Sequence, residues 1–263
     1  MKNIVITGST KGIGLAMAYE FLNYNCCVTL SGRSEHLSDD AVKQLEKFKD
    51  KYIYVSCDVT QKDNIQRLWD LSIKHWGKID IWINNAGQNS QRKFTWEIDT
   101  DDTKAVFETN LLGVIYGCQV ASKEMIAQKY GAIYSMEGLG SNNMIQSKTI
   151  HYGTSKHALT YYMKGLAKEL KGTNVISGRL SPGMMLTDFI TKDKSGKPSD
   201  VITDQSFIKI FNILADKPET VAHFFVKEML KNTKNNAQIT WLTNRKTVLR
   251  FISSGFNKRK LLD

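Results

Sequence analysis

The chain has 263 residues, 41% of them hydrophobic, and its 36 basic against 26 acidic side chains give a formal charge of +10. That length holds one large core without requiring a second domain, and no run of about 18 apolar residues is present to cross a bilayer as a helix. Cys26, Cys27, Cys57 and Cys118 form no Cys-x-x-Cys pair and have no histidines at metal-ligand spacing, so reduced structural thiols are expected, with no disulfide framework and no metal site.

In chain order, "MKNIVITGST" has a short apolar stretch that runs straight into a glycine turn. This predicts a first strand rather than a signal peptide, and with it a cytoplasmic location. Further strands are predicted at "CCVTLS", "YIYVSC", "IDIWIN", "AIYSM", "NVISGRL" and "AQITWL". Between them, roughly 12–24, 38–49, 61–76, 101–129, 153–171 and 218–230 carry helical apolar spacing. Strands apolar nearly throughout and separated by helices predict a doubly wound α/β domain, a parallel sheet of about seven strands covered on both faces. Residues 1–243 are assigned to it as a single domain, and 244–263 to a basic C-terminal extension.

Residues 181–203, rich in charge with Gly and Pro but poor in periodicity, are a candidate lid after the sixth strand. The helix that follows starts with Asp216 placed to cap it, Pro218 in its first turn and Glu219 three residues after the cap. From there the charge becomes one-sided: no acid stands between Glu228 and Asp263, whereas Lys231, Lys234, Arg245, Lys246, Arg250, Lys258, Arg259 and Lys260 do. Cations this dispersed read first as a solvated tail and second as a patch for an anionic partner such as a membrane surface. No nucleic-acid module accompanies them, so no nucleic acid is expected.

The strongest motif follows the first strand. In "TGSTKGIG", Gly8, Gly12 and Gly14 open a helix through Ser9, Thr10, Lys11 and Ile13. Glycines here let the backbone approach a pyrophosphate, whose charge meets free N–H groups and the positive helix end. The glycine spacing resembles the short-chain dehydrogenase/reductase family. So do "NNAG" at 84–87, Asn110 in the next long helix, "YGTSK" at 152–156 and "SPG" at 181–183. The resemblance spans about residues 1 to 190 and implies a Rossmann-type fold with a nicotinamide cofactor held by residues 8–14, Asp58, Val59, Asn85, Ala86, Gly87, Tyr152, Lys156, Pro182, Gly183 and Thr187. It also implies a homodimer or homotetramer built on the helices after Asn110 and Tyr152. An acidic residue after the second strand would select NAD(H). "LSGRS" stands there instead, so Arg33, with Lys11 in the glycine loop, predicts NADP(H).

Tyr152 and Lys156 are four residues apart and share one helix face. An adjacent ammonium is expected to draw the phenol below its usual value near 10. In the resembling family this tyrosine protonates the carbonyl oxygen, and an asparagine, here Asn110, supports a water relay. The usual serine is absent: Glu137 and Gly138 occupy its expected place. Ser141, in a loop with Gly138 and Gly140, is the candidate substitute, and Ser135 is expected on the strand. This stretch resembles the chlorophyll(ide) b reductase branch, as does "FIKIFNILADKPETVA" at 207–222. The resemblance implies a reductase of an aldehyde or ketone, an apolar one if Met144, Ile145, Met184, Met185, Leu186 and Phe189 flank its pocket. A generic short-chain alcohol dehydrogenase for a small or lipid-like metabolite is the alternative within this chemistry, and a non-catalytic NADP(H) sensor or scaffold the alternative outside it.

Overall fold

The computed structural model describes residues 1–192, 196–256 and 259–262. Lys258, one of the predicted tail cations, lies outside them. Seven strands form one wholly parallel sheet: β1 (Asn3–Ile6), β2 (Cys27–Gly32), β3 (Tyr52–Ser56), β4 (Ile81–Asn84), β5 (Gly131–Met136), β6 (Val175–Ser181) and β7 (Ala237–Thr240). Their spatial order is β3-β2-β1-β4-β5-β6-β7. The order reverses between β1 and β4, where Ile4 lies between Val28 on one side and Ile81 on the other. A crevice outside the carboxyl ends of these strands is where an open α/β sheet takes its ligand.

Helices cover both faces, as continuous apolar strands require. α1 (Gly12–Asn23), α2 (Asp39–Leu45) and the later α9 (Pro218–Lys231) close one core around Ile4, Ile6, Phe21, Leu30 and Phe225. On the other face, α3 (Lys62–Trp76), α5 (Gly113–Gln128) and α6 (Ile150–Glu169) enclose Val5, Trp69, Trp82, Ile133 and Met163. The predicted 101–129 helix is α4 (Thr100–Phe107) running into α5 through a π-helical stretch, Glu108–Leu112. All four cysteines are buried and free.

Past β6 the structure departs from the expected irregular loop. The short α7 (Asp188–Thr191) is followed by α8 (Gln205–Leu214), and β7 by α10 (Asn244–Ser253). Sequence periodicity had singled out neither α8 nor α10. Asp216 does not cap α9, whose first turn follows Lys217 without a side-chain cap. Its carboxylate instead accepts from Trp241 Nε1 at 2.6 Å and pairs with Arg250 and Arg259, each at 2.7 Å. Two arginines and an indole outcompete one helix N–H because the charge-assisted bonds are the stronger ones. The basic segment is therefore partly docked rather than solvated: Arg250 also donates to Leu214 O, and Arg259 to Ile213 O and Ala215 O.

Candidate active site

The glycine loop is held by close backbone packing. Gly8 has φ +62°, and a β-carbon there would lie 2.7 Å from Ala86 Cα; one on Gly14 would lie 2.4 Å from Gly8 O. These approaches exclude any other residue. Asn85 locks the two turns together by donating from Nδ2 to Thr7 O at 3.0 Å and Gly8 O at 2.8 Å. Thr7 Oγ1 accepts the Asn85 and Ala86 N–H groups; sequence motifs gave no sign of this clamp. Ser9 is fully buried, and its hydroxyl ties Ile6 O to the Ser31 N–H, so it shapes the turn from behind.

No side chain caps α1, whose N-cap is Lys11. Its first N–H groups thus face the crevice as a phosphate site does. Gly12 is exposed on the loop, Ile13 is half buried, and the Thr187 methyl lies 3.8 Å from where a Gly12 β-carbon would be. This sets Thr187, past β6, over the same loop, while Pro182 is buried and a Gly183 β-carbon would meet Leu242 instead. Thr10 packs against Gly32, whose β-carbon would fall 2.5 Å from Thr10 Cγ2. Lys11 and Arg33, the residues that follow, are both exposed at this edge. Asp58 turns the end of β3 by accepting from Thr60 N and Oγ1, and Val59 packs on Gly113. A dinucleotide would fit these features: orphan helix donors, backbone bared by glycine, and two exposed cations beside the end of β2.

Across the crevice, Asn110 is fully buried within the π-helical stretch. Its Oδ1 accepts Gln88 N at 2.7 Å, and its Nδ2 donates to Gln88 O at 2.8 Å and Ser155 Oγ at 3.2 Å. Such stretches recur at functional sites because they re-aim a side chain. Ser155 in turn donates to Tyr152 O. Gly87 faces both Asn110 Oδ1 and Lys156 Nζ, at 3.5 and 3.8 Å from a notional β-carbon. Tyr152 Oη lies where a Gly138 side chain would be, 2.3 Å from its notional β-carbon, and the Tyr152 ring meets Phe189 of α7 at 5.7 Å between centroids. The structure therefore brings Tyr152, Lys156, Asn110 and Gly87 to one place beneath Phe189.

Two expectations change in detail. Burial pushes the Tyr152 phenol up, not down; Lys156 Nζ lies 5.9 Å from the centre of the Tyr152 ring and donates to Met136 O at 2.9 Å. Burial also brings Lys156 down to about 8, opposed by the charge of Glu137. The second change concerns Ser141. Its hydroxyl accepts Gly138 N and donates to Lys156 O, both at 3.2 Å, so it braces the glycine turn against α6. Ser135 is buried on β5, as its position suggested.

Glu137 is buried behind the site. Its Oε1 lies 3.4 Å from Arg179 Nη1 and accepts from Thr160 Oγ1 at 3.2 Å, while Oε2 accepts Gln238 Nε2 at 2.7 Å. One carboxylate so joins β5, β6, β7 and α6. Around the mouth, Met144 and Ile145 are exposed, Leu186 and Met184 half exposed, and Met185 packs toward the first core.

The family model of short chain dehydrogenases matches residues 2–198. The chain belongs to this family. It is 31% identical over 281 residues to a probable chlorophyll(ide) b reductase, chloroplastic, of Arabidopsis thaliana, covering 100% of this chain and 55% of that one. It is 36% identical over 230 residues to a chlorophyll(ide) b reductase, chloroplastic, of the same plant, covering 85% and 64%. The chain thus spans between about half and two thirds of the length of these two relatives. In fold it matches an alcohol dehydrogenase of Thermococcus sibiricus complexed with 5-hydroxy-NADP, at TM-score 0.76 and 19% identity over 92% of this chain and 96% of that one. A short chain dehydrogenase/reductase of Burkholderia phymatum in complex with NAD matches at TM-score 0.78 and 22% identity, covering 100% and 98%.

This family and fold pair the cradle with a nicotinamide cofactor. The cytoplasmic placement is overturned: these relatives and their Oryza sativa counterparts are chloroplastic by name. An N-terminal strand reports how the domain folds and carries no address.

Proposed function

We propose that the chain is an NADPH-dependent reductase of an apolar aldehyde or ketone, with Tyr152 as proton donor and a formyl group, as in a chlorophyll(ide) b reductase, as the favoured target. The observation that carries this reading is the convergence of Tyr152, Lys156 and Asn110 beside the glycine cradle, under an aromatic cover. Bound nicotinamide supplies hydride to the carbonyl carbon. Tyr152, kept protonated by burial, gives its proton to the carbonyl oxygen. Lys156, largely ammonium at neutral pH, would hold the ribose hydroxyls of the cofactor and favour the phenolate left behind. Asn110 fixes the Gln88 turn and a route for returning protons.

Ser141 is the candidate for the missing serine's role, and its bonds to Gly138 and Lys156 also brace the turn that carries it. Arg33 and Lys11 favour the 2′-phosphate through paired charge at the ribose end. The residues proposed for the dinucleotide are Gly8 through Gly14, Arg33, Asp58, Val59, Asn85, Ala86, Gly87, Tyr152, Lys156, Pro182, Gly183 and Thr187. Assembly as a homodimer or homotetramer through α5 and α6 is consistent with the exposed Ile126 and Tyr161 on those helices.

The test is NADPH oxidation with chlorophyllide b and with a panel of simple aldehydes. Tyr152→Phe is expected to lose roughly 10²–10⁴-fold in turnover with nucleotide binding intact. Arg33→Ser is expected to cost at least about tenfold in preference for NADPH over NADH, equivalent to one lost charge-assisted contact. Binding without any turnover would return the chain to a sensor or scaffold role.

A further inference from the structure

α10 is amphipathic with its faces reversed. Lys246, Thr247, Arg250 and Ser254 turn toward the body of the protein, where Lys246 sits over the Trp241 ring and Arg250 pairs with Asp216. The residues at the complementary helical spacing turn outward: Val248 is 56% exposed, Leu249 65%, Ile252 66%, and Phe256 just past the helix end 96%. Val248 and Leu249, with Asn244 and Arg245, line a shallow surface concavity. A soluble surface helix ordinarily places such a stripe on the core, and a contiguous exposed apolar patch marks an interaction site. α10 cannot roll over to bury it, because Asp216 holds Arg250 and the Arg259 beyond it.

What surrounds the stripe identifies its partner. α8 packs beside α10, and its Ile210 is exposed as well. Neither helix contains an acidic residue, and none occurs from Met229 to Leu262. Arg245, beside Val248 and Leu249, and Lys209 on α8 are exposed on these two helices. An apolar stripe rimmed by cations, on a helix too short to span, fits the boundary between anionic headgroups and acyl chains.

We infer that α10, with the adjacent face of α8, docks this protein on an anionic lipid surface. α8 adjoins the 200–203 turn, which adjoins α7 with Phe189 over Tyr152. The docking face is thus linked through packed elements to the segment that covers Tyr152. The inference stands on the surface alone and does not depend on the proposed reaction.

The experiment is co-sedimentation of the purified chain with vesicles of phosphatidylcholine alone and with one third phosphatidylglycerol, at 50 and 500 mM salt. Leu249→Glu with Ile252→Glu is the variant, and thermal midpoint and NADPH binding check that it is folded. The expected result is binding to the anionic vesicles only, reduced by salt and reduced at least about tenfold in the variant. Equal binding to neutral vesicles, or binding unchanged by the variant, overturns it. So does no binding together with a wild-type oligomer that the variant dissociates, which would assign the stripe to a second copy of the chain. No binding by a monomer overturns it as well.

Discussion

The two sides of the crevice are held in shape by different means. Around β1, β2 and β4 the turns rest on backbone against backbone: Gly8 on Ala86, Gly14 on Gly8 O, and Thr7 and Asn85 bonding main-chain groups. Around β5, β6 and β7 they are held by charge: Glu137 with Arg179 behind the lysine, and Asp216 with Arg250 and Arg259 beneath the turn after β6. The Asp216 backbone also pairs with this turn, accepting Leu186 N and donating to Met184 O. The first arrangement admits no side chain and is indifferent to salt. The second fixes a few anchor points and leaves the chain between them free to vary, which suits a side that must fit a particular substrate.

The comparison breaks first at Gly14. Gly14→Val has no room, with Gly8 O and Asn85 Nδ2 at 2.4 and 2.5 Å from its first carbon. The expected outcome is loss of nucleotide binding and a cost of at least about 3 kcal/mol in urea unfolding, beyond ordinary overpacking. On the charged side, Glu137→Ala leaves Arg179 buried without its counterion and is expected to cost about 3–5 kcal/mol. Replacing both, as Glu137→Gln with Arg179→Met, is expected to recover more than half of that loss in the same measurement.

Lys156 tests burial against charge. Its value of about 8 lies below the ordinary 10.5, so between these pH values the folded chain binds fewer protons than the unfolded one. Its contribution to stability therefore rises with pH across that window, and below about 8 the cost of burying the ammonium is fully present. Lys156→Met is expected to abolish turnover yet raise stability at pH 7 by up to about 3 kcal/mol, with the gain shrinking toward pH 10. Urea midpoints across pH would show it. The smallest expected effect is at the rim: Arg259→Ala removes a part-exposed partner of Asp216 at about 1–2 kcal/mol. Faster proteolysis of the segments beside α7 and α10 would accompany it.

Much of this protein is legible without coordinates, and the rest is not for a definite reason. Short apolar, β-branched runs and 3.6-residue patterns are local, so the seven strands and the main helices could be read from them. Gly8 to Gly14, Tyr152 to Lys156 and the "NNAG" turn are short motifs whose spacing itself states the geometry. Ser141 and Asp216 were harder to read. A hydroxyl fifteen residues from the carbonyl it meets, and a carboxylate 34 and 43 residues from its arginines, choose among partners that local spacing does not rank.

The sequence by itself determined the sheet, its helical cover, the glycine turn and the helical spacing of the tyrosine–lysine pair, because each follows from neighbours within one or two turns or one strand. Only the tertiary structure decided that the π-helical stretch aims Asn110, that Glu137 is buried against Arg179, and that α10 turns its apolar side outward. Each of these is settled by a charge or a backbone group arriving from a distant part of the chain, and the strongest available partner wins over the local preference.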